Sequence, residues 1–101
     1  MDRRVDILRH FPSLLGRWRG ASAELGELTS SHQTLRIFLH FPNRNGFLSV
    51  ECIDPQRIEA PVTWPNAQIE ITADDQDGYL VCDVAAGVRI RTGSVEVKEF
   101  D

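Results

Sequence analysis

Asp74, Asp75, Asp77 and Asp83 fall within ten residues, with Cys82 beside the last of them, in the stretch ADDQDGYLVCD at 73–83. Clustered carboxylates are hard oxygen ligands, so calcium is the first chemistry the stretch raises. An EF-hand loop needs oxygen ligands at its first, third and fifth positions, glycine at the sixth and a bidentate glutamate at the last. With Gly78 in the glycine place, Asp75 and Asp77 fit, but Ala73 stands first and Val84 last. The pattern fails at both ends and its flanks alternate as strands do. The stretch therefore predicts a solvated hairpin tip rather than a metal site. Its three aspartates 74, 75 and 77 are a landing place for a basic partner.

Thiol chemistry is the second candidate. Cys52 and Cys82 are the chain's two cysteines, and no CxxC joins them. A nucleophilic cysteine needs a histidine or helix start to lower its pKa. His40 lies on a strand adjoining that of Cys52, but it alternates with Arg36 and Phe38, whereas Cys52 alternates with Leu48 and Val50. Both cysteines read as small apolar residues. His10, His32 and His40 include no pair at one-turn helical spacing, so no zinc-binding pair is preformed on one element. GxSxG, GxGxxG and GxxxxGK are absent. No catalytic residue, metal or cofactor is predicted, and an unrecognised enzyme is the third-ranked reading.

The third chemistry is nucleic-acid binding. Arg17, Trp18 and Arg19 form an RWR triplet in which cations flank a stacking ring. Residues 1–20 carry five arginines against two aspartates, a net +3, and the remaining residues carry a net −7. An acidic body repels phosphate, so a protein, basic in character, is the leading partner, and a nucleic-acid- or small-ligand-binding module using this Arg-rich segment is the alternative.

The elements that position these residues follow from periodicity. Val5, Leu8, Phe11 and Leu15 fall at helical spacing, and Asp2 suits a cap. Pro12 predicts that this helix ends near His10 or is followed by a separate turn through Ser13–Gly16. From Trp18 to Leu28 both periods fit, with strand preferred. Leu35, Ile37, Leu39 and Phe41 alternate with Arg36, Phe38 and His40, the mark of a half-buried strand. Asn45-Gly46 turns the chain into an antiparallel return, 47–53, with Leu48, Val50 and Cys52 inward. Asp54-Pro55 predicts the end of that strand, and Pro61 and Pro65 restrict Val62–Trp64 to an edge or a loop. Ile69, Ile71, Leu80, Cys82 and Val84 are expected to share the core side. Val88 and Ile90 precede a turn at Thr92-Gly93, after which Val95 and Val97 close the chain, with Glu96 paired across a hairpin to Arg89 or Arg91.

One short N-terminal helix and turn (1–16) thus precede a β body (17–101), giving a mostly β single domain. Six or seven strands at this spacing form an antiparallel sandwich or open barrel. A chain of 101 residues, 42% hydrophobic and 26% charged, is an ordinary globular composition. No apolar run is long enough for a membrane span or a secretion signal, so a cytoplasmic protein is expected.

The order of HFPSL (10–14), TLRIFLHF (34–41), FLSVECIDPQRIEAPVTWPNAQIEI (47–71) and VRIRTGSVEVKEF (88–100) resembles small bacterial immunity-type domains that neutralise polymorphic toxins. The Trp64 segment is the most specific piece. The resemblance implies a non-enzymatic, β-rich cytosolic inhibitor whose acidic surface binds a toxin domain. The expected contacts are Asp74, Asp75 and Asp77 as an acidic loop, with Phe38 and Trp64 as apolar anchors.

Overall fold

The computed structural model describes residues 11–26, 33–74 and 77–100. It contains a helix, α1 (11–17), and seven strands: β1 (Ser22–Leu25), β2 (Thr34–His40), β3 (Phe47–Glu59), β4 (Thr63–Trp64), β5 (Glu70–Ala73), β6 (Tyr79–Asp83) and β7 (Val88–Phe100). The strands form one antiparallel sheet in the order β4-β1-β2-β3-β7-β6-β5, curled into a half-barrel. Of the two architectures expected, this is the open barrel.

Alternation places the core where it was predicted on the central strands. Leu35, Ile37 and Leu39 of β2 and Leu48, Val50 and Cys52 of β3 are all buried. Branched and aromatic residues at every second position give these strands one apolar face. That face is the concave one, and α1 closes over it with Phe11 and Leu15, followed by Trp18 and Ala21. Residues 11–17 are helical, Pro12 among them, where a separate turn through Ser13–Gly16 was expected; the predicted helix end near His10 lies outside the described residues. Proline crowds the residues before it and leaves the turn after it free to be helical. Val5, Leu8, Asp2, His10 and the other residues before 11 lie outside the described residues, as do Glu27, Leu28 and His32.

Two predicted breaks are absent. β3 runs through Asp54-Pro55, with Asp54 at φ 58° and a shift in register between Pro55 and Arg57. A bulge accommodates both the missing proline N–H and the left-handed residue, and it bends the strand instead of ending it. β7 likewise runs through Thr92-Gly93 without turning. There the Thr92 hydroxyl donates to the Ile53 carbonyl at 2.7 Å, tying β7 to the bulge. Glu96 therefore lies on the same strand as Arg89 and Arg91; it faces Glu51 in the ladder and pairs with Lys98 at 3.5 Å.

The facing of β6 is also opposite to expectation. Tyr79, Val81 and Asp83 are buried, while Leu80 and Cys82 are only half-buried on the other side, and Val84 is 86% exposed in a short 3-10 turn. A strand's alternation carries no sign, so misassigning it by one residue inverts every side chain. The inward position of Asp83 runs against its residue type, because a carboxylate is rarely buried unless paired.

Asp83 is 1% exposed, and its Oδ2 accepts the Trp64 indole N–H at 3.0 Å and the Gln68 backbone N–H at 2.8 Å. Trp64 belongs to edge strand β4, and Asp83 lies on β6, next to the other edge. Residues 65–69 cross between the edges, and Ala67 exchanges two backbone hydrogen bonds with the segment after α1, from Gly20 N–H and to the Ala21 carbonyl, both 2.8 Å. At the neighbouring hairpin tip a Cβ on Gly78 would stand 2.6 Å from the Thr92 carbonyl oxygen, so only glycine allows β6 this close to β7.

Asp83→Ala leaves two donors at this junction unpaired. Equilibrium denaturation is expected to show a loss of about 2–4 kcal/mol, with Asp83→Asn, which retains one acceptor, losing less.

Candidate functional site

The solvent-facing side of the sheet carries two constellations, set by the register of β3 against β7. At one end Phe47 pairs with Phe100, and their rings stack at 4.7 Å between centroids. Phe38 of β2 meets Phe47 edge-on at 5.7 Å. The three rings make a continuous row across β2, β3 and β7. Phe38 is half-buried because its ring lies over Gly26, where a Cβ would stand 2.6 Å from Phe38 Cε2. Phe47 and Phe100 remain 36% and 44% exposed. Arg36–Glu51 at 3.7 Å and Lys98–Glu96 at 3.5 Å lie beside the row.

At the other end of the same ribbon Arg57, Arg89 and Arg91 share a groove with Glu59, Asp74 and Leu80. The predicted acidic loop meets this groove. Asp74 Oδ2 accepts from Arg91 Nε at 3.1 Å, so Asp74 is engaged within the chain. Asp77 is exposed, with φ 64° at the hairpin tip. Asp75 lies outside the described residues. The hairpin itself is present: Ala73 pairs with Tyr79, and the Asp74 N–H donates to the Gly78 carbonyl at 2.9 Å.

The remaining predicted contacts are separated from both constellations. Trp64 is 5% exposed and spends its N–H on Asp83, which makes it a structural anchor within the chain. Trp18 is 1% exposed; Phe41 stacks on it at 5.7 Å and Arg44 lies 4.3 Å from its ring centre. Its N–H donates to Glu99 Oε2 at 2.8 Å, and Arg17 donates to the same oxygen at 2.9 Å. The ring is not presented to solvent, so the RWR triplet shows only Arg17 and Arg19 at the surface. No group of three histidine, cysteine or acidic side chains among the described residues is arranged to hold a metal ion.

The thiols are both held in the protonated form. Burial, reinforced by the charge of Glu51, pushes Cys52 up to about 12. Burial raises Cys82 too, with Glu70 and Asp83 adding to it and Arg89 opposing. A raised pKa lowers the thiolate fraction that a nucleophile needs.

The arginine groove escaped sequence reasoning, and the aromatic row was reached only in part. Phe38 and Phe47 stood out on polar faces, but Phe100 joins them only because β7 does not turn at Gly93. Arg57 joins Arg91 only because β3 continues past Pro55.

No family model matches the chain, and the searches of curated proteins and of solved structures also find no match. No helix among the described residues is long and apolar enough to cross a membrane.

Two measurements check this arrangement. The Trp18 N–H on Glu99 holds its carboxyl below the ordinary range, against a smaller opposing effect of desolvation and with help from Arg17 and Arg44. A lowered folded pKa gives stability that is full above the ordinary glutamate value of about 4.3 and is lost as pH falls through the folded value. Melting temperature followed over acid pH is expected to fall less steeply in Glu99→Gln than in the native chain. In thiol titration with an aromatic disulfide at pH 8, Cys82 is expected to react slowly and Cys52 only on unfolding, so Cys82→Ser removes the faster phase.

Proposed function

We propose that the chain is a non-catalytic protein-binding domain whose contact face is the solvent side of β2, β3 and β7, centred on Phe38, Phe47 and Phe100. The observation that carries this reading is the stacked, partly exposed aromatic row. Three phenylalanines gathered on one exposed sheet face are costly to leave in water, and aromatic residues are enriched at the cores of protein interfaces. The acid–base pairs beside the row supply the polar rim that such interfaces have. The acidic balance of the body favours a basic partner. An immunity or inhibitor role, with a toxin domain as the partner, is the more specific form of the reading, and the resemblance in the order of its segments supports it.

Among the expected contacts, Phe38 keeps its place in this reading. Trp64 supports the sheet from within.

The double change Phe47→Ser and Phe100→Ser tests the face. The native chain is expected to retain one protein in stoichiometric amount from its host, and the double variant to lose it while remaining folded by circular dichroism. Each buried ring contributes on the order of 1–2 kcal/mol to such contacts, so the combined loss of affinity is expected to exceed about tenfold. Equal retention by the variant, or no partner for either chain, would refute the reading. The inhibitor form further requires that the retained protein lose its own activity when bound.

A further inference from the structure

We propose that the groove formed by β3, β7 and β6 at the opposite end of the sheet is a binding site for a compact oxyanion, carried as a phosphoryl group or as clustered carboxylates. The groove encloses about 580 Å³, within the range of about 300–1,000 Å³ typical of small-ligand sites.

Its cations are placed by the ladder. Arg57 of β3 lies directly opposite Arg91 of β7, and Arg89 faces the same way two residues earlier on β7. Like charges directly opposite each other destabilise a sheet, so this arrangement needs compensating anions. The groove supplies two carboxylates for three guanidinium groups. Asp74 takes Arg91 at 3.1 Å. Glu59 is the ladder partner of Arg89, yet its carboxylate takes Arg57 instead, at 2.7 Å from Nη2 and 2.9 Å from Nε. Arg89 is left without an ion pair among the described residues.

One uncompensated positive charge therefore stands in the groove of a chain whose net charge is −4. Guanidinium groups present planar pairs of donors that match the spacing of phosphoryl and carboxylate oxygens. The Arg57–Glu59 pair is mostly in solvent, with side chains 70% and 48% exposed, and such pairs are weak. An incoming anion can draw Arg57 from Glu59 at little cost and be held between Arg57 and Arg89, above Leu80. The aromatic row takes no part, so this site is independent of the protein-binding face.

Calorimetric titration with sodium pyrophosphate, tricarballylate and sodium chloride, at matched ionic strength, tests the site on the native chain. Saturable binding of pyrophosphate or tricarballylate but not chloride is expected, and which of the two binds more tightly identifies the phosphoryl or carboxylate source. R89Q is expected to weaken the binding about tenfold or more, as should R57Q, which serves if R89Q does not fold. Lys98→Gln, at the aromatic end of the sheet, should leave it unchanged. Multivalent anions also stabilise proteins by exclusion from the surface, so an effect equal in the native chain and R89Q would overturn the proposal. Absence of saturable binding of either oxyanion would overturn it as well.

Discussion

The Asp83 carboxylate accepts from the Trp64 indole and the Gln68 amide, and the curl of the sheet depends on that junction. A seven-stranded open sheet has two edges with unpaired backbone groups, which invite pairing with other chains. Here the edges are the short strands β4 and β5, and the chain passes directly from one to the other across residues 65–69. Burying a carboxylate is unfavourable unless its hydrogen bonds are made; with both made, it draws the edges together over one apolar interior. α1 and Trp18 then fill the concave side, and the convex side is left to face solvent. Both surface constellations follow from this division, since they occupy the face that the core does not use.

The long β3–β7 ribbon connects those constellations. Phe47 and Phe100 pair at one end and Glu59 and Arg89 at the other, with the Asp54–Arg57 bulge between them. The bulge increases local twist, so the aromatic row and the arginine groove need not lie on one flat surface. A ligand at one end and a partner at the other can be accommodated together. The Thr92 hydroxyl, donating its one proton to the Ile53 carbonyl at 2.7 Å, fixes β7 at the point where the ribbon bends.

Much of this fold was legible in the residues. The alternation of 34–41 and 47–53 predicted β2 and β3 with the correct faces, Asn45-Gly46 predicted their hairpin, and the prolines at 61 and 65 restricted Val62–Trp64 to an edge or a loop, of which the edge is what forms. The seven strands among the described residues fall within the six or seven expected, but for offsetting reasons: the Thr63–Trp64 edge adds a strand, and the continuity of β7 removes one. Local punctuation was overridden wherever long-range pairing supplied what the local residues lack. Pro55 costs one ladder hydrogen bond, and a ribbon this long absorbs it. Gly93 resembles a turn residue, yet it sits beside Asp54, 3.4 Å from Oδ2 to the position of an added Cβ, where a small residue suits the bulge. The surface constellations were hidden for the same reason. Their members come from segments far apart in sequence, and only the register of β3 with β7 brings them together.

The pairing of Phe47 with Phe100 also has a kinetic side. The strands at the middle of the sheet come from distant parts of the chain, whereas the hairpins β2–β3 and β5–β6 are local. Loop-closure entropy must be met before the central ribbon returns any contact energy, and topologies dominated by such pairings fold slowly for their size. On these entropic grounds the two hairpins are expected to form before the halves meet along β3 and β7. Until that meeting the phenylalanines of the row are further exposed and the ribbon's inner edges are open, so newly made chains are most prone to associate with one another during this interval.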